Sequence, residues 1–86
     1  MSDTHHLKIW PPYFRAVRDG LKTFEVRKND RNFQPGDALV LKEWDPAAGR
    51  YTGHKCNVIV TYVLAGDPLQ SFGIADGYVV MGIAHD

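Results

Sequence analysis

The octet Gly20-Leu21-Lys22-Thr23-Phe24-Glu25-Val26-Arg27 constrains the fold of this chain more than any other stretch. Charged residues alternate there with Phe24 and Val26, and successive side chains of an extended strand point to opposite faces. The spacing predicts a strand with Phe24 and Val26 on a core face. Thr23, Glu25 and Arg27 then share a charged face open to a ligand. Lys22 falls at the strand entrance, directly after a turn at Gly20.

Eighty-six residues hold one domain, spanning 1–86. A domain of this size buries roughly 60–65% of the surface its unfolded chain exposes, enough for one core with little stability to spare. Cys56 is the single cysteine, so no intrachain disulfide forms. No run of about 18 apolar residues is present to span a membrane. The start, Met1-Ser2-Asp3-Thr4-His5-His6, lacks the charged and apolar regions of a secretory signal. These features point to the cytoplasm.

A net charge of zero argues against a general polyanion binder. The charge is unevenly placed, however. Residues 15–31 contain six basic and three acidic side chains, a local excess of +3, and residues 32–86 contain three basic and six acidic, a local −3. A basic segment in a neutral chain suggests a local anion site, although a solvated charge run has the same composition.

Alternation over residues 6–10 predicts a first strand, ended by Pro11 and Pro12. Proline suits a first helical turn, because its missing N–H has no partner there anyway. A helix is expected over 12–19, with Phe14, Val17 and Leu21 as its buried stripe and Gly20 in the left-handed position beyond its end. Further strands are expected over 23–28, 38–44, 55–64 and 78–84. Turns are expected over 29–32, at Pro35-Gly36 (type II) and over 45–49, the last returning into Tyr51 and Thr52. Residues 65–76 read as a long loop with one helical turn over 68–72. The expected fold is α+β and mostly β: a small barrel of five to six strands with one short N-terminal helix. The pattern alone also allows another α+β sheet.

Lys22, behind a glycine turn, is the leading functional candidate. It is a mobile point cation suited to a phosphate or a polarised carbonyl, and a nucleophile or base if desolvated. Glu25 is suited to accept hydrogen bonds from a base or sugar, or simply to pair with a neighbour. Arg27, reinforced by Lys28 and Arg31, is suited to phosphate. Among the aromatic residues Trp10, Tyr13, Trp44 and Tyr51, which lie near strand ends and turns, Trp10 beside two prolines is the best candidate for an exposed stacking ring. Phe14, Phe24 and Phe33 are assigned to the core. His5 and His6 fall on opposite faces of a strand, and His54, Cys56 and His85 lack metal-ligand spacing, so neither a metal nor a cofactor is expected. Cys56 reads as a small buried residue.

The octet fits the G-x-K-x-x-E-x-R signature of ASCH domains, and Phe33-Gln34-Pro35-Gly36-Asp37 fits the F-x-x-G-D turn that often follows it. From His6-Leu7-Lys8 to Gly77-Tyr78-Val79-Val80-Met81 the chain resembles short ASCH-like proteins of bacteria and phages. That resemblance implies a PUA-like barrel. It also implies an RNA-binding cleft lined by Lys22, Glu25 and Arg27 beside the helix start, with Lys28, Arg31, Trp10 and Tyr13 as further binding residues.

Some bacterial ASCH proteins are amidohydrolases that deacylate acetylated cytidine, and for them the resemblance makes Lys22 the catalytic group. Glu25, however, stands where those enzymes have a threonine. No glutamate follows Glu43, which leaves only Asp67 and Asp76 in the loop to stand for their distant glutamate. An RNA-binding module is thus the first reading, a hydrolase of an acylated nucleoside such as N4-acetylcytidine the second, and a protein-interaction module the third. A monomer is expected, with RNA or a modified nucleoside as partner and no membrane association.

Overall fold

A computed structural model describes residues 2–67, 69 and 72–86. Its elements run β1 (Thr4–Ile9), α1 (Pro11–Arg18), β2 (Phe24–Lys28), β3 (Ala38–Asp45), β4 (Arg50–Ala65) and β5 (Tyr78–His85). This is the small, mostly-β α+β fold expected. One five-stranded sheet, ordered β1-β3-β4-β5-β2, curls into half a barrel. The β1–β3 pair is parallel and the other pairs are antiparallel. A helix of two turns connects β1 into the crossover that a parallel neighbour requires.

One face of the sheet carries the core. His5, Leu7 and Ile9 of β1, Leu39 and Leu41 of β3, Val58 and Val60 of β4, and Val79, Met81 and Ile83 of β5 are all buried. Phe14 and Val17 of α1 close over them together with Phe33. The helix keeps its expected place but starts at Pro11. Trp10 is its extended N-cap, and prolines fill the first two positions, where no N–H is needed. Leu21 corrects the expected helical stripe: it is exposed, because it lies beyond the cap. Gly20, at φ +77°, turns the chain so that the Leu21 N–H donates to the Ala16 carbonyl and the Gly20 N–H to that of Val17. That is a Schellman ending, and it also brings the Lys22 N–H to the Ala16 carbonyl at 3.0 Å.

The turn at Pro35-Gly36 is as expected. Gly36 has φ +92°, and the Asp37 N–H donates to the Gln34 carbonyl at 3.1 Å. Asp37 is buried and acts as a hub. Its carboxylate accepts the backbone N–H of Asp3 (3.0 Å), the backbone N–H of Gln34 (3.0 Å) and His5 Nε2–H (2.9 Å). Two stretches far apart in sequence, residues 3–5 and 34–37, are thereby tied together.

Residues 50–65 form one continuous strand rather than two pieces, with a register shift between Val60 and Tyr62. The helical turn expected over 68–72 falls largely outside the described residues.

Candidate functional site

β2 is an edge strand, and its orientation inverts the expectation. Phe24 and Val26 are 45% and 53% exposed, while Glu25 is 3% exposed. Phe24 is therefore not a core residue. Packing decides this outcome. Position 25 opposes Met81, on the inner face of β5, whereas 24 and 26 oppose Gly82 and Val80 on the outer face. A carboxylate on the inner face is tolerated because cations from the same chain meet it on both sides. Lys22 Nζ donates to Glu25 Oε1 at 2.5 Å and Arg27 Nε donates to Glu25 Oε2 at 2.9 Å.

Lys22 Nζ also donates to the Phe24 carbonyl at 2.8 Å, and Arg27 donates to the Lys8 carbonyl at 3.0 Å. The Lys8 contact joins the two edges of the sheet. Arg31 repeats it two residues along, donating to the His6 carbonyl at 3.2 Å. The half-barrel is thus bridged between β2 and β1 by guanidinium groups on main-chain carbonyls. A main-chain ladder there would have left no room for a ligand.

At this bridge lies a cleft of about 520 Å³, lined by Lys8, Ile9, Trp10, Tyr13, Lys22, Glu25, Val26 and Arg27. Its volume falls in the range of about 300–1,000 Å³ common for small-ligand sites. Trp10 and Tyr13, at the helix start, are 53% and 55% exposed and present rings at its rim. The structure therefore brings together Trp10, Tyr13, Lys22, Glu25 and Arg27 from the residues singled out in the sequence. Lys28 and Arg31 stand outside the cleft lining. Lys28 is exposed on the outer face of β2, and Arg31 serves the edge bridge. Ile9, Val26 and the main chain of Lys8 were not legible as cleft residues, since nothing local signals that β1 and β2 face one another.

Because both oxygens of Glu25 already accept from cations and its side chain is buried, it holds Lys22 and Arg27 in place more than it faces a ligand. Lys22 and Arg27 keep N–H groups beyond those used in these contacts, and these are the donors offered to the cleft.

The other candidate groups lie elsewhere. Lys8 Nζ sits 3.8 Å from the Trp44 ring, which packs edge-on against Tyr51 at 4.9 Å, so these two aromatics form a cation–π stack away from the cleft. Asp3, His5 and Asp37 bring one potential ligand atom each within 4.8 Å of one another, a proximity the sequence did not announce. The Asp37 oxygens there are already committed to N–H donors. Cys56 Sγ lies 3.7 Å from His85 Nδ1, and burial pushes its thiol pKa up. His85 Nε2–H donates to the Val17 carbonyl at 2.9 Å, a contact that ties β5 to α1.

A family described as a domain of unknown function, DUF3850, matches residues 4–83. The chain belongs to this family. The matched span contains all five strands but the last two residues of β5, together with the whole cleft. This DUF3850 chain is also similar to a protein of Escherichia phage P2, named "Uncharacterized 12.9 kDa protein in GpA 3'region". The two are 41% identical over 63 residues, covering 73% of this chain and 56% of the phage protein. The chain thus spans a little over half the length of that relative. Among the described residues no helix is long and apolar enough to cross a membrane.

Proposed function

We propose that this chain is a small cytoplasmic nucleic-acid-binding module, of the ASCH type that its octet resembles. It takes an unstacked nucleotide of single-stranded RNA in the cleft between β1 and β2. One observation carries the reading: a cation pair, Lys22 and Arg27, is clamped on a buried carboxylate in a cleft whose rim carries two exposed aromatic rings.

The two cations suit a phosphate, and the rings suit the face of a base, a stack worth about 1–3 kcal/mol. A cleft of this volume suits one nucleotide at a loop or end better than a duplex. Base recognition by such a module targets unstacked bases. Lys22 is used here as a hydrogen-bond donor to Glu25 and to a carbonyl, a role suited to binding.

The test is fluorescence anisotropy with short single-stranded and hairpin RNAs and matched DNAs, at low and moderate salt, for the wild type, Lys22→Ala and Trp10→Ala. The expected result is salt-sensitive binding that both substitutions weaken about tenfold. N4-acetylcytidine is followed in the same samples. Lysine-dependent turnover would replace this reading with the hydrolase, and binding of neither RNA nor DNA would abandon it for a protein partner.

A further inference from the structure

The outer face of β2, β5 and β4 has an arrangement that the cleft does not use. Phe24, Gly82 and Tyr62 form one row across three strands, since Phe24 pairs with Gly82 and Gly82 with Tyr62. Paired residues in antiparallel strands point to the same face. Both rings are open, Phe24 at 45% and Tyr62 at 66% exposure. They flank a residue without a side chain, so their Cα atoms stand two strand spacings apart, about 9.5 Å.

The register shift between Val60 and Tyr62 adds a polar group. A Cβ built on Gly82 would lie 2.7 Å from Thr61 Oγ1, so this hydroxyl leans over the glycine between the two rings. The result is a gap with aromatic walls and a hydroxyl at its floor.

Two cations border this row. Lys22 Nζ lies 5.0 Å from the Phe24 ring centroid, and Lys28 shares the face of Phe24 at the other end of β2. The outward positions of these strands from the row to Lys28 are Val26, Leu64, Val80 and Tyr78, none of them acidic.

We infer that this row is a second nucleobase subsite, in which one base is stacked by Phe24 and Tyr62 and contacted at its edge by the Thr61 hydroxyl. The inference rests on the cleft being a nucleotide site, and it extends that site by direct continuity: Lys22 lines the cleft and borders the Phe24 ring. Lys22 is then the post around which the backbone passes from the cleft to the outer face. A hydroxyl between two rings fits a flat heterocycle with polar edges better than an aliphatic side chain, which favours a base over an apolar protein surface.

The experiment compares uridine 5′-monophosphate with single-stranded oligouridylates of two, four and eight residues, by titration of the full chain. Wild type, Tyr62→Ser, Tyr62→Trp and Lys22→Ala are used, with the mass in solution measured in parallel. Affinity is expected to rise at least fivefold from the mononucleotide to the tetranucleotide. Tyr62→Ser is expected to lose that rise and Tyr62→Trp to keep it. A length gain that Tyr62→Ser leaves intact, or no gain with the mononucleotide still bound, overturns the second subsite while the cleft stands. Failure of every probe to bind overturns both. Self-association that Tyr62→Ser abolishes assigns the face to a second copy of the chain and overturns the proposal.

Discussion

Arg27 and Lys8 are joined by a guanidinium-to-carbonyl hydrogen bond of 3.0 Å across the open side of the sheet, and Glu25 fixes that guanidinium from behind at 2.9 Å. Arg27 thus helps to hold the two edges of the half-barrel, beside Arg31, and also lines the cleft.

Arg27→Lys is expected to lose more than the conserved charge suggests. An ammonium is a single point, and it cannot serve the Glu25 carboxylate and the Lys8 carbonyl in the fixed geometry of a planar fork. The expected cost is about 1–2 kcal/mol, read as a lower midpoint in urea with an unchanged slope. A variant as stable as the wild type would show that the edge bridge contributes nothing.

Glu25→Ala removes the common partner of two cations that are only 19% and 24% exposed. The expected loss is about 2–3 kcal/mol, because two partly buried charges then face each other without compensation. Lys22→Met in the same background should recover part of the loss, and a double-mutant cycle by urea denaturation measures how much. Independent, additive effects would contradict the clamp.

Asp37 sets an acid limit on stability. Burial works to raise its pKa, but the N–H groups of Asp3, His5 and Gln34 outweigh this, and the net shift is downward. A carboxylate with a depressed folded-state pKa stabilises fully above its unfolded value, near 3.9, and that contribution is lost as pH falls through the folded value. Wild-type stability should therefore fall below about pH 4. Asp37→Asn should be less stable at pH 7 by roughly 1–3 kcal/mol and flatter across the acid range. Thermal melts from pH 2.5 to 7 compare the two, and parallel pH profiles would remove Asp37 as the cause.

Gly20→Ala isolates backbone strain. No heavy atom lies within 4 Å of a Cβ there, but φ is +77°. The expected penalty is about 1 kcal/mol, a fall of about 4–8 °C in Tm for a domain of this size. Gly20→Asn should cost less, since asparagine tolerates the left-handed region. Equal melting of all three by calorimetry would mean that the turn re-forms at no cost.

Local chemistry was readable in the sequence wherever neighbours along the chain determine the outcome. The prolines that open α1, the left-handed glycines at 20 and 36, and the turn closed by Gln34 and Asp37 all follow from side-chain constraints on a few consecutive residues. The grouping of Lys22, Glu25 and Arg27 was readable for the same reason, since the three lie within six residues. The direction in which β2 faces was not. Alternation separates two sets of side chains but does not say which set turns inward, and hydrophobicity argued for Phe24 and Val26.

Tertiary packing alone decided that question. Met81 and Val79 place positions 25 and 27 on the inner face, and the buried carboxylate is tolerated because Lys22 and Arg27 flank it. The same holds for the cleft as a whole. The sequence by itself determined a small, mostly-β chain with a charged octet behind a helix-ending glycine. Only the curl of the sheet, which brings β1 opposite β2 although β3, β4 and β5 lie between them, turned that octet into a walled cleft. Contacts across such a gap depend on the summed twist of five strands, and no short stretch of sequence encodes that sum.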